Sequence, residues 1–270
     1  MQLHLRHRWN LTPGEARALQ MKLRGRMERT DRLPEIRTVA GADVAFELPE
    51  RRSWESGTGR AIAGVVVYRF PEMEEIERVS AIRPLRFPYV PGLLSFRELP
   101  ALLAAFCRLR HAPDLIFADG QGYAHPRRFG LASHLGVVLD VPTIGVAKSL
   151  LVGSHDEPGA RAGEWAPLWD RCADGGEAHG QEEEEERIGA VLRTANDVRP
   201  VYISQGHRIS LESAIKSVMA VCDGYRIPRP TRDADHYVAA LKRGEMGNSE
   251  RSKPTRGAAK GRNQKKIRRD

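Results

Sequence analysis

Asp114-Leu115-Ile116-Phe117-Ala118-Asp119-Gly120-Gln121-Gly122 reads as an apolar strand over 114–119 that ends on an acid and runs into a glycine-rich loop. Downstream, the spacing predicts a helix over 129–139 and a short strand over 142–146. Strand, helix and strand in that order imply parallel pairing through a crossover. Upstream, strands are expected over 36–47, 61–70 and 75–83. Their connections are too short for crossover helices, so they join as antiparallel hairpins. Between the two halves lie a Pro-rich loop, Arg83 to Gly92, and a helix from Ser95 to about Arg110. That helix puts Leu99, Leu102, Leu103, Phe106 and Leu109 on one face. Thr12-Pro13-Gly14-Glu15 has the form of a capping box with proline in the first turn and opens a helix to about Thr30. Strands over 188–193 and 200–204 follow, then helices over 210–222 and near 233–243. The expected architecture is α/β, a mixed sheet with helices on both faces.

Charge divides the chain. The net charge is +8, and residues 251–270 alone carry nine Lys or Arg against one Asp. The first 250 residues therefore balance at 34 basic and 34 acidic side chains, so the high pI belongs to a tail and not to a basic fold. We expect a folded domain over 1–245, with an acidic loop at about 174–187, and a disordered basic tail over 246–270. Such a tail adds non-specific phosphate affinity or merely solubilises the end of the chain. The run Glu182 to Glu186 reads as a solvated loop. The start of the chain does not resemble a signal peptide, and no apolar run approaches the roughly 20 residues that span a membrane. Cys107, Cys172 and Cys222 are far apart and form no CxxC, which argues against disulfides or a zinc site. Buried thiols in a cytoplasmic, monomeric protein are the expectation.

Three carboxylates carry the candidate chemistry. Asp43 sits inside Val39-Ala40-Gly41-Ala42-Asp43-Val44-Ala45-Phe46, and Asp119 ends the strand quoted above. A charge in or at the end of a buried strand costs several kcal/mol unless it is compensated. An Arg partner, water at a sheet edge or a divalent cation are the alternatives. Glu98 opens a helix, where Ser95-x-x-Glu98 is equally a capping box. Converging carboxylates suit a hard, oxygen-preferring cation such as Mg²⁺ near phosphates. Lys148 follows a short strand and is either a phosphate contact or a solvated lysine; the full P-loop spacing is absent. His207, in Gln205-Gly206-His207-Arg208, either orients water or is structural. Pro88-Tyr89-Val90-Pro91-Gly92 presents a ring between stiff prolines, which suits stacking on a base or an ordinary packed turn. His125-Pro126-Arg127-Arg128 either meets phosphate or is a turn before a helix.

These strings together resemble the endonuclease V family. The resemblance runs from about Pro13 to about Arg232. It is densest in Gly41-Ala42-Asp43-Val44, in Pro88 to Glu98, in Asp119 to Gly122 with His125-Pro126-Arg127-Arg128, in Val141 to Lys148, and in Gly206-His207-Arg208. It implies a ribonuclease-H-like fold and an enzyme that nicks DNA at the second phosphodiester bond 3′ of deoxyinosine, leaving 5′-phosphate and 3′-hydroxyl ends. By position it implies that Asp43 and Asp119 ligate Mg²⁺, or Mn²⁺ in its place, with Glu98 completing the acidic cluster. Lys148 and His207 would stand beside the scissile phosphate. Pro88, Tyr89, Val90 and Pro91 would form a wedge in the DNA, and Gly92, Gly120, Gly122 and His125 would line the pocket for the extruded base. Gln121 departs from the family, which often has His there. Two rivals stand beside this reading. One is a related nuclease acting on inosine-containing RNA or branched DNA; the other is a non-catalytic nucleic-acid-binding module.

Overall fold

A computed structural model describes residues 1–49, 58–171 and 185–245. The basic tail and most of the expected acidic loop lie outside the described residues.

Helix α1 spans Pro13–Arg24, β1 Thr38–Glu47, β2 Arg60–Arg69, β3 Glu74–Pro84, α2 Leu94–Phe106 and β4 Leu115–Asp119. Then come α3 over Leu131–Leu139, β5 over Thr143–Ala147, β6 over Trp165–Arg171, β7 over Glu185–Leu192 and β8 over Val201–His207. Helices α4 (Leu211–Ala220) and α5 (Arg229–Arg243) end the described chain. The eight strands form one sheet in the order β3-β2-β1-β4-β5-β8-β7-β6. The hairpin strands β1 to β3 are antiparallel, while β1, β4 and β5 run parallel. Strand β8 returns antiparallel to β5. This is the mixed α/β sheet the pattern implied.

Alternation along each strand divides the core between two faces. Ala40, Ala42, Ala63, Val65, Ile116 and Ala118 pack under α2 and α3, against Leu99, Leu102, Leu135 and Val138. Val39, Val66, Phe117, Ile144 and Ile203 pack on the opposite face, against α4 and α5. By the same parity Asp43 and Asp119 project to the α5 side.

Asp114 sets the register of the two acid-bearing strands. Its Oδ2 accepts from the backbone N–H of Arg37 and Thr38 and from Thr38 Oγ1, each at 2.9 Å. The starts of β1 and β4 are thereby clamped side by side. Pairing then runs Val39↔Leu115 through Ala42↔Ala118, so the next residues along, Asp43 midway in β1 and Asp119 at the end of β4, become neighbours where the parallel pairing stops.

Several expectations change. Helix α1 does form its capping box, with Thr12 and Glu15 bonding reciprocally, but it stops at Arg24 because Gly25 is a poor continuation. Helix α5 starts at Arg229, not near 233, since Pro230 is tolerated in a first turn. Strand β6 was not foreseen. It is an edge strand, buried only through Ala166 and Leu168, with Pro167 permitted because an edge can spare a donor. Glu185 and Glu186 are not in a solvated loop; they open β7. Cys107 is exposed at the end of α2 instead of buried, Cys222 is half-buried, and Cys172 lies outside the described residues.

Glu186 explains its own placement. Its carboxylate accepts from Arg128 Nε at 2.9 Å and from the Tyr123 hydroxyl, and it pairs with Arg29 at 3.2 Å. Arg128 is buried and also holds Asp170 at 2.8 Å, tying the glycine-loop segment to β6 and β7. Arg128→Met should take the buried guanidinium from Asp170 and Glu186 and cost about 3 kcal/mol in denaturant unfolding. A loss under about 0.5 kcal/mol would mean the network carries no stability.

Candidate active site

Asp43, Asp119 and Glu98 do converge. Asp43 accepts the Val44 backbone N–H at 2.7 Å. Burial, then the Asp119 charge, pushes its carboxyl up to about 7. Asp119 is raised by burial and pulled back by Lys148, whose Nζ lies 2.6 Å from its Oδ2. Glu98 is buried, and burial, then Asp43 and Asp119, hold its carboxyl well above the usual range. The capping alternative for Glu98 does not hold: α2 is capped at Leu93 without a side-chain bond, and Ser95 Oγ is engaged elsewhere.

A fourth acid joins them that the sequence reading passed over. Asp235, on α5, lies 3.3 Å from Lys148 Nζ and raises both Asp43 and Asp119. It sits in Arg232-Asp233-Ala234-Asp235-His236, which reads locally as a charged helix face. The signal that could have found it is the glycine pair on the strands beneath. A Cβ at Gly41 would stand 1.8 Å from Pro230 O, and one at Gly64 would meet Val238 at 2.7 Å. Gly64 pairs with Asp43 across β1 and β2. The two glycines let α5 lie directly on the sheet and bring Asp235 to the acids.

The donor set fits a hard divalent cation. Asp43, Asp119 and Glu98 crowd together with little water, Asp235 stands half-exposed beside them, and Lys148 bridges Asp119 and Asp235. Among the described residues no three acids close into a finished coordination cage. Lys148 balances part of the charge of these acids.

Beside the acids lies a cavity of about 130 Å³. Tyr89, Val90, Pro91 and Gly92 line one side, Gly120, Gln121 and His125 another, with Leu151 at the lip. Of the expected wedge and pocket residues, Tyr89, Val90, Pro91, Gly92, Gly120 and His125 thus share one recess, with Pro88 half-buried just ahead of it. Tyr89 is 45% exposed at this mouth and Leu151 equally so. His125 is fixed: its Nε2–H donates to Gly92 O at 3.0 Å and its Nδ1 accepts from Arg127 N–H at 3.1 Å. Burial and the Arg127 charge lower it to about 4, so it is neutral near pH 7.

Two expected residues stand elsewhere. Gly122 does not line the cavity; a Cβ there would sit 2.1 Å from Gln205 O, so its role is to let the loop press onto β8. His207 is not beside Lys148. Strand β8 runs antiparallel to β5, which pairs His207 with Thr143 at the start of β5, while Asp119 pairs with Val146 near its end. Three residues of strand, roughly 10 Å, separate those two levels. His207 is buried, accepts the Glu28 backbone N–H at 3.2 Å and faces Asp140 at 3.5 Å.

The chain matches the family model of endonuclease V over residues 21–236. It is 49% identical to the endonuclease V of a Roseiflexus species over 227 residues, 84% of this chain and 92% of that one. It is 47% identical to that of a Nostoc species over 240 residues, 88% and 99% of the two chains. The solved endonuclease V of Streptomyces avermitilis superposes with a TM-score of 0.74 at 42% identity, covering 88% of this chain and 96% of that one. That of Ciona intestinalis, in complex with DNA containing an inosine followed by a ribo-adenosine, superposes at 0.66 and 27% identity, covering 86% and 98%. The sheet and its helices are accordingly of the ribonuclease-H-like class.

Proposed function

The chain belongs to the endonuclease V family of nucleases, and from that premise we propose that it nicks DNA at the second phosphodiester bond 3′ of deoxyinosine in a Mg²⁺-dependent reaction. The ends left are a 5′-phosphate and a 3′-hydroxyl. One observation carries this reading. Asp119 belongs to the acid cluster and Gly120, the next residue, lines the cavity. A base seated in the cavity therefore has the backbone of its own strand at the acids.

Extruding a mispaired base costs less than extruding a paired one, so the recess favours a lesion. Tyr89, Val90 and Pro91, which line the mouth of the recess, would act as the wedge that fills the gap left in the stack. Asp43 and Asp119, with Glu98 and Asp235 beside them, would hold Mg²⁺ or Mn²⁺. Such a cation supplies charge neutralisation at the phosphate and lowers the pKa of bound water. Lys148 orients the Asp119 carboxylate and brings a positive charge to where the phosphate would lie. His207 and Gly122 have no part in this scheme.

The test is a labelled duplex bearing one deoxyinosine, with Mg²⁺. We expect a single nick 3′ of the lesion, lost with EDTA and in Asp119→Ala. Cutting that survives the substitution would remove Asp119 from the reaction. Cleavage of the inosine-containing RNA counterpart alone would move the substrate from DNA to RNA.

A further inference from the structure

Resting on that reading, we propose that Arg226 is a positioning residue for Lys148. Its guanidinium holds the backbone of Lys148 just past the end of β5 and so fixes where the ammonium group stands among the acids.

Lys148 needs such a hold. The pairing of β5 with β8 ends at Ala147↔Tyr202, one residue short of it. Two positions before Tyr202 stands Pro200, which has no N–H to carry the ladder further. Beyond Lys148 the chain packs little, since Leu150 and Leu151 are 42% and 45% exposed. Yet Lys148 Nζ reaches Asp119 Oδ2 at 2.6 Å and Asp235 Oδ2 at 3.3 Å, on a side chain that is itself 40% exposed. The aliphatic stem of a lysine is flexible, so the placing of its ammonium group falls to the backbone.

Arg226 supplies the donors that the ladder lacks there. Its Nη2 donates to Lys148 O at 2.6 Å and to Pro200 O at 3.1 Å, and its Nε donates to Arg199 O at 3.1 Å. The fork thus bridges the residue after β5 to the two residues ahead of β8. All three acceptors are main-chain carbonyls, so what the rigid fork fixes is the course of the chain. Arg226 is anchored in turn. Its carbonyl accepts from Thr194 Oγ1 at 2.6 Å, and Thr194 is buried just past the end of β7. The next carbonyl along, Ser149 O, is held separately by Gln121 Nε2 at 3.0 Å. Gln121 also lines the recess, whereas Arg226 does not, so a change at Arg226 acts on Lys148 without touching the recess.

The experiment measures single-turnover cleavage of a strand bearing one deoxyinosine and, separately, the Kd for that strand. The proteins are the wild type, Arg226→Met, Arg226→Lys, Lys148→Met, and Arg226→Met combined with Lys148→Met, each held below its melting temperature. Arg226→Met should slow the cleavage step by about 10-fold, since small misplacements of a reacting group carry large rate penalties. The Kd should stay within about 2-fold, because the loss falls on the reaction and not on binding. Arg226→Lys, which keeps the charge but not the fork, should lose a similar factor. In the Lys148→Met background, Arg226→Met should cost no further rate, because a group that acts through Lys148 has nothing left to place. A merely structural arginine would slow both backgrounds alike. Equal slowing in both backgrounds therefore overturns the proposal while leaving the deoxyinosine reading intact. So does a weakened Kd with an unchanged cleavage step, which would make Arg226 a DNA contact. Full cutting by Arg226→Lys overturns it as well, leaving charge and not geometry as the contribution. A Lys148→Met protein that cuts like wild type, or a wild type that leaves deoxyinosine strands whole, overturns the reading of the site and this proposal with it.

Discussion

Asp43→Asn should abolish strand cutting, by at least about 100-fold, and at the same time stabilise the cation-free protein. The two effects have one cause. Asp43 is a largely buried carboxylate facing Asp119, and its carboxyl rises to about 7. An amide of the same shape keeps the acceptor for the Val44 N–H and removes the charge. The pH dependence fixes the sign. In the unfolded chain Asp titrates near its ordinary value of 3.8, so the folded state holds its proton more tightly. That contributes stability which is fully present below the unfolded value and is lost as pH rises through about 7. The gain from Asp43→Asn should therefore be small at pH 4 and reach about 1–2 kcal/mol at pH 8 without divalent cation. Added Mg²⁺ should stabilise the wild type at pH 8 more than the variant. Denaturant midpoints at the two pH values, with EDTA and with Mg²⁺, check all of this. A variant less stable than wild type at pH 8 in EDTA would show that the carboxylate is compensated within the fold, against the cation-site reading.

Much of this was legible in the chain before any coordinates. Apolar stretches and the short connections between them placed β1 to β4, and the acid at the end of Leu115-Ile116-Phe117-Ala118-Asp119 marked the carboxyl end of a parallel strand. The glycines and prolines around Tyr89 and Gly120 marked where a ligand could approach. What was not legible depends on pairing over long sequence distances. Nothing local in Val201 to His207 says which way the strand runs beside β5, so His207 was expected beside Lys148, whereas antiparallel pairing sets it level with Thr143. Asp235 reads locally as part of a charged helix face; its importance comes from Gly41 and Gly64, 194 and 171 residues away in the chain. Gly122 carries the same lesson in reverse. A glycine beside a site reads as making room for a ligand, whereas here the room is for β8.

Gly41→Ala is expected to be the most damaging single-methyl change in the protein, and its consequences separate scaffold from chemistry. An ideal Cβ at that position would lie 1.8 Å from Pro230 O and 2.1 Å from its carbonyl carbon. These are backbone atoms in the first turn of α5, so no rotamer change relieves the contact. The helix must lift or β1 must bow. Overpacking of this kind costs about 3 kcal/mol, at the upper end of what an added methyl does in a core. Strand β1 also carries Asp43, and α5 carries Asp235, so the same shift alters the spacing of the acids around Lys148. Cutting should then fall by at least about 10- to 100-fold even at temperatures where the variant is folded, since small misplacements of reacting groups carry large rate penalties. This is the opposite stability sign from Asp43→Asn with the same loss of cutting. Circular dichroism melts beside single-turnover cleavage of a deoxyinosine strand distinguish the two cases. A Gly41→Ala protein with unchanged stability and full cutting would mean that α5 does not rest on β1 as described. Asp235 would then lose its place among the acids.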